Sequence, residues 1–250
     1  MRNNIKIIYV FFLCLLLQNC SSKKDDLKIS SVSEKELYDR GVKEIKSEKY
    51  KDASKTLTQL EEEYPASKYY SEALVLKTYA FFALDNFTEA QLTIDDFLRQ
   101  FPVSDFSPYI YYIKGMLNYK QIMDIGRDQE YSAKAKQDFT ALIQLYPKSK
   151  YSKDARWKLE YINNVLAGKE MDIGRFYLRT HKPISAVNRF KNVLKNYDDS
   201  IFIPEALYRL FEIYYILGIE GEAKKYASVL GYNFPNSIWY YKSYNILKSS

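Results

Sequence analysis

Ala53-Ser54-Lys55-Thr56-Leu57-Thr58-Gln59-Leu60-Glu61-Glu62-Glu63-Tyr64-Pro65 decides the fold, because its frame recurs along the chain. An alanine stands eleven residues before an aromatic here, and again in Ala90 with Phe101, Ala135 with Tyr146, Ala186 with Tyr197 and Ala223 with Phe234. Four residues after each alanine come Leu57, Ile94, Phe139, Phe190 and Ala227; seven after come Leu60, Phe97, Leu142, Val193 and Leu230. Offsets of 0, 4, 7 and 11 lie on one face of a helix. The alanine lets two helices cross closely. Pro65, Pro102, Pro147 and Pro235 follow four of the aromatics and Asp198 the fifth. Proline disfavours helical geometry in the residue before it and so ends the helix.

The alanines are separated by 37, 45, 51 and 37 residues, and the aromatics by the same intervals. The second helix of every unit therefore has constant length. A less regular first helix precedes it: Leu37, Gly41 and Ile45 in unit one, Leu74, Thr78 and Phe82 in unit two, Tyr111, Gly115 and Tyr119 in unit three. Gly41 stands twelve residues before Ala53, as Gly174 does before Ala186. Such helix–turn–helix units resemble the tetratricopeptide repeat, although the usual period is about 34. The predicted fold is all-α, a right-handed superhelix of five tetratricopeptide-like helix pairs with a C-terminal capping helix. The extra length of unit three falls in a loop over Met123 to Glu130. The fourteen extra residues of unit four extend one helix, from about Ser152 to Thr180, with a bend near Gly168. The capping helix, Ser237 to Lys248, carries Trp239, Tyr240 and Tyr244.

Residues 1–19 read as a signal peptide rather than part of this fold. Arg2 and Lys6 form a basic start, and Ile7 to Leu17 an apolar run of eleven residues, too short to span a bilayer. Leu17-Gln18-Asn19-Cys20 then resembles a bacterial lipobox, with Asn19 in place of the usual small residue. The implied chemistry is a thioether-linked diacylglycerol on Cys20, cleavage before it, and acylation of the new amine with palmitate-type chains. Residues 20–33 form a lipidated tether and 34–250 the repeat domain: N-terminal repeats about 34–149, C-terminal repeats about 150–237, capping helix 237–248. Cys14 would leave with the signal, so the mature chain keeps one of the two cysteines and no internal disulfide.

Among the 250 residues, 47% are apolar, and 8 glycines and 7 prolines are few enough to favour long helices. Without Arg2 and Lys6, 35 basic residues face 31 acidic ones, a net +4. The signs are interspersed, as in Lys46-Ser47-Glu48-Lys49, which is a solvated helix surface and not a nucleic-acid stripe. Nothing points to catalysis, a cofactor or a metal. The one histidine, His181, lies in the turn Thr180-His181-Lys182-Pro183. No Gly-x-Ser-x-Gly elbow or phosphate loop occurs. The run Glu61-Glu62-Glu63 reads as a solvated helix end. The chain has 25 tyrosines and 14 phenylalanines, and tyrosine grips peptides through a large ring and a polar tip. Aligning the first helices brings Tyr38, Val75 and Tyr112 to equivalent positions, with Tyr79, Phe82 and Tyr119 nearby. These could line a groove for an extended peptide, or pack between helices.

The C-terminal half carries more specific signals. Gly174-Arg175-Phe176-Tyr177-Leu178 precedes Ala186-Val187-Asn188-Arg189-Phe190. Pro204-Glu205-Ala206-Leu207-Tyr208-Arg209-Leu210 and Tyr226-Ala227-Ser228-Val229-Leu230 follow. The chain closes on Asn233-Phe234-Pro235-Asn236-Ser237-Ile238-Trp239-Tyr240. With Arg127-Asp128-Gln129 and the lipobox, this resembles the BamD family of outer-membrane assembly lipoproteins over nearly all of residues 20–240. The resemblance implies a scaffold, not an enzyme, anchored by lipid to the periplasmic face of the outer membrane. It implies that the C-terminal repeats bind the periplasmic POTRA region of the barrel protein BamA, through Arg189 and its neighbour Asn188. It implies that the N-terminal repeats receive unfolded outer-membrane proteins. A competing reading is a repeat lipoprotein serving a cell-wall or pilus apparatus.

Overall fold

Eleven α-helices make up the described residues of the chain, with no strand among them. The computed structural model describes residues 32–125, 127 and 129–248. Cys20, the signal segment and all of the tether except Val32 and Ser33 lie outside the described residues, as do Gly126 and Asp128 of the long loop. The helices pair in order: α1 (Glu34–Lys46) with α2 (Tyr50–Glu63), α3 (Tyr70–Ala83) with α4 (Phe87–Gln100), and α5 (Ser107–Tyr119) with α6 (Glu130–Leu145). Then α7 (Lys150–Arg179) pairs with α8 (Pro183–Asn196) and α9 (Ile203–Ile216) with α10 (Glu220–Asn233), before the capping helix α11 (Ile238–Lys248). Every helix packs on the next, and the first helices also touch one another, α1 on α3, α3 on α5 and α5 on α7. This is the tetratricopeptide-like stack that the repeat frame predicted.

The signature face is the buried face. Ala53, Leu57 and Leu60 are sealed, and so are Ala90, Ile94 and Phe97, Ala135, Phe139 and Leu142, and Ala186, Phe190 and Val193. What sits opposite the residue four past the alanine explains the small residue of the first helix. A Cβ on Gly41 would lie 2.7 Å from Leu57 Cδ2, on Gly115 2.6 Å from Phe139 Cδ1, and on Gly174 2.5 Å from Phe190 Cε1. Unit two uses Thr78, whose buried hydroxyl donates to Leu74 O at 2.8 Å. Unit five exchanges sizes: Phe211 takes the first-helix position and Ala227 the facing one, both buried. One large side chain fills each crossing, and two would overpack it.

Helix ends repeat as well. The signature aromatics Tyr64, Phe101, Tyr146, Tyr197 and Phe234 all lie just past a helix, with φ between −144° and −127° and ψ between 51° and 61°. Tyr197 adopts this conformation without a following proline, so proline is not required to end the helix. A second device lies three residues on, where every unit has a serine. Ser67, Ser104, Ser149, Ser200 and Ser237 each accept, through Oγ, the backbone N–H two residues later, at 3.1 to 3.3 Å. That hydrogen bond satisfies one of the free donors at a helix start. At the tight turn inside a pair, one residue takes a positive φ: Glu48 (57°), Asp85 (53°), His181 (57°) and Gly218 (71°). His181 thus has a backbone role in its turn.

Two expectations about length hold. Unit three carries its excess between α5 and α6, and unit four in the 30-residue α7. The helix runs unbroken through Gly168, whose missing Cβ makes room for Ile125 and Phe202; a Cβ there would approach Ile125 Cδ1 to 2.8 Å. One expectation does not hold. Glu61 is no solvated carboxylate, because it forms an ion pair with Lys77 of α3, their side chains 22% and 10% exposed. Burial of the Lys77 stem against the stack brings its ammonium to that carboxylate.

Candidate functional site

The second helix of unit four presents Arg189 and Asn188 on one surface. The helix α8 starts at Pro183, whose fixed φ suits the first turn, and its buried face is Ala186, Val187, Phe190 and Val193. Asn188 and Arg189 therefore fall beside that face, Asn188 exposed and Arg189 half-buried. With Glu170, Tyr177, Ser185 and Asn192 they line an open recess of about 360 Å³ between α7 and α8. Arg189 Nη1 donates to both oxygens of Glu170, at 3.2 and 3.4 Å. That hydrogen bond, reinforced by the Glu170 charge, raises the guanidinium pKa further above its ordinary value, against a smaller desolvation effect. The recess holds amide, hydroxyl and guanidinium donors, chemistry suited to an acidic group.

The aromatic candidates separate into groups. Tyr112 and Tyr119, one above the other on α5, both contact Phe139, with ring centroids 6.0 and 6.2 Å away. Tyr112 also meets Tyr151, and Tyr119 meets Tyr161, so the row continues onto α7. Lys158 of α7 stands over both rings, 6.0 Å from Tyr112 and 5.3 Å from Tyr119. The Tyr112 hydroxyl donates to Asp154 at 2.6 Å, and Lys158 pairs with the same carboxylate at 2.8 Å. Burial, then the bond to Asp154, pushes the Tyr112 phenol well above its ordinary pKa. Burial opposes ionisation of Asp154, but the bonds from Lys158 and Tyr112 outweigh it and hold the carboxyl low.

Tyr38 stands apart from that row, whereas Tyr79 lies close enough to Tyr109 to help raise that phenol's pKa. Tyr79 meets Tyr50 edge-on, with centroids 5.7 Å apart. Tyr38 stacks on Tyr69 at 4.6 Å and donates to Glu72, and burial with that bond raises its phenol to about 12. Phe82 is set among the core residues of unit two and covered by Lys120, 4.8 Å above its ring. Val75, aligned with the tyrosines by sequence, is buried and offers no surface. The partly exposed row is thus Tyr112 and Tyr119, extended by Tyr151 and Tyr161 and, through Tyr109, by Tyr79. Residue spacing could have pointed to Tyr109, one helical turn before Tyr112; Tyr151 and Tyr161 come from another helix, and no spacing links them.

The C-terminal motif residues serve the interior. Arg175 of α7 pairs with Glu205 of α9 at 2.9 Å and with Asp172 at 2.6 Å. Arg209 pairs with Glu205 at 3.5 Å and with Glu212 at 2.9 Å, and lies 5.5 Å from the Trp239 ring of α11. The ion pairs tie α7 to α9, and the contact of Arg209 with the Trp239 ring ties α9 to α11. Among the described residues there is no group of three or more His, Cys, Asp or Glu arranged to hold a metal, and no helix long and apolar enough to cross a membrane.

A family model described as YfiO, outer membrane lipoprotein, matches residues 30–230. Outer membrane protein assembly factor BamD of Rickettsia prowazekii is 38% identical over 235 residues, covering 94% of this chain and 93% of that one. The protein of the same name from Caulobacter vibrioides is 34% identical over 214 residues, covering 86% and 70%. A thermophilic TPR protein of Thermus thermophilus aligns structurally with a TM-score of 0.38 at 17% identity, over 86% of this chain and 99% of that one.

Proposed function

The chain belongs to the YfiO family of outer membrane lipoproteins, together with the BamD assembly factors it matches, and from that premise we propose that it is a lipid-anchored scaffold for inserting outer-membrane β-barrels. Its role is assembly of outer membrane proteins, and its work is binding. Lipid on Cys20 holds the stack at the periplasmic face. The C-terminal repeats engage the POTRA region of a BamA-like barrel protein, with Arg189 and Asn188 at the contact. The N-terminal and middle repeats receive unfolded barrel proteins, with Tyr112 and Tyr119 as the gripping surface.

The observation that carries this reading is the alignment of nearly the whole chain with a BamD assembly factor. The donor-lined recess around Arg189 supports the assignment of the contact, because a guanidinium and two amides match a partner carboxylate. The partly exposed tyrosines support capture of extended chains, since ring faces stack on many side chains without demanding one sequence.

A tagged chain purified in mild detergent should recover the BamA homologue, and Arg189→Glu should lose it while the helical circular dichroism is unchanged. Recovery of no barrel-assembly subunit by the wild-type chain would refute the proposal. Depletion of the protein should lower the outer membrane's content of barrel proteins.

A further inference from the structure

Arg189 is not a free arginine, and how it is held has consequences for what it binds. Its side chain is 40% exposed while that of Glu170 is 17% exposed, so the carboxylate is the more buried partner. Glu170 engages the guanidinium through Nη1 alone. A guanidinium carries five N–H donors in a rigid plane; Glu170 takes Nη1 and the Tyr177 hydroxyl also bonds the group, and the donors that remain are left for a second carboxylate. Glu170 itself is well fixed. It sits on α7 one turn before Gly174, where the helix is locked to α8 by Phe190.

We propose that Glu170 is a positioning residue for partner binding: it clamps Arg189 in the recess so that one acidic side chain of the partner docks on the same guanidinium, giving a Glu170–Arg189–carboxylate bridge. This rests on the reading of Arg189 as the partner contact. Exchange of one carboxylate for the other is disfavoured, because an arginine that abandoned Glu170 would strand a largely buried charge. A bridge keeps both carboxylates paired. Asn188, Asn192 and Ser185 line the recess and supply further donors around the incoming group. Free of its clamp, Arg189 would sample many rotamers, and docking would have to freeze them. The geometry therefore favours an acidic residue of a folded protein surface over a basic or apolar one.

The test measures binding of the full-length chain, in mild detergent, to the soluble POTRA segment of the cognate BamA-like protein. Glu170→Ala should weaken binding about tenfold, a normal coupling for residues in contact. Glu170→Gln keeps an acceptor oxygen at the same place and should restore most of the affinity. In an Arg189→Ala background, Glu170→Ala should have no further effect. If Arg189→Ala alone leaves binding unchanged, the contact itself is misassigned and the clamp falls with it. If Arg189→Ala weakens binding but Glu170→Ala leaves or strengthens it, the contact stands and the clamp is refuted. An equal loss from Glu170→Ala with and without Arg189 overturns the clamp too, since Glu170 then acts through the fold.

Discussion

Gly174→Ala tests the packing rule of the stack directly. Alanine is the better helix former, and in an open helix the exchange stabilises by about 0.5–1 kcal/mol. At Gly174 the added Cβ would lie 2.5, 2.7 and 3.0 Å from Phe190 Cε1, Cζ and Cδ1, all closer than ordinary contact. Phe190 is fully buried and cannot swing aside. Overpacking of this kind costs about 1–3 kcal/mol, which outweighs the helical gain. A net loss of about 1–2 kcal/mol lowers the melting temperature of a chain this long by about 3–6 °C. Thermal melts followed by helical circular dichroism read it. Gly221→Ala is the control, because nothing lies within 4 Å of its Cβ position. In a Phe190→Ile background Gly174→Ala should cost less, because in unit two Ile94 packs opposite Thr78, which carries a Cβ, with both buried. A Gly174→Ala protein as stable as wild type would refute the one-large-residue rule.

Four further outcomes are expected. His181→Gly should stabilise by up to about 1 kcal/mol, because it relieves a positive φ that glycine adopts freely, while Gly218→Ala should destabilise by a similar amount; urea titrations measure both. Glu61→Ala leaves the Lys77 ammonium, 10% exposed, without its partner, and should cost about 2–4 kcal/mol, most of it recovered in a Glu61→Ala/Lys77→Met double variant. The raised phenol of Tyr38, about 12 in the folded chain, makes stability complete below the unfolded value near 10 and progressively lost as pH rises through 12; Tyr38→Phe should blunt that alkaline loss, read by circular dichroism against pH. Cys20→Ser should abolish incorporation of labelled palmitate and release the protein from the membrane fraction.

The recurring alanine and aromatic made the second helices legible, because burial on one helical face demands a fixed spacing and leaves its trace in sequence. The same arithmetic located the long α7 and the loop of unit three. Helix ends were read correctly for an incomplete reason. Tyr197 ends its helix without a proline, and the serine three residues past each signature aromatic is a second signal for the boundary. Surface properties were harder to read. Glu61 reads as solvated within an acidic run, and the approach of Lys77 and Tyr70 from another helix shows otherwise. Val75 aligned with the tyrosines yet is buried, its short side chain lying within the apolar cluster of Leu74, Ile94, Ile110 and Ile113.

The candidate contact divides in the same way. Arg189 and Asn188 were named from the motif around Ala186. Glu170, nineteen residues earlier, carries no local signal and is recognised only once α7 and α8 are packed. Helical period, unit count and turn positions are local quantities, dictated by backbone geometry and by which residues are small or apolar. Which exposed groups meet depends on how neighbouring units are rotated and spaced, and that is settled by the side chains filling each crossing, glycine against phenylalanine in one unit and phenylalanine against alanine in another.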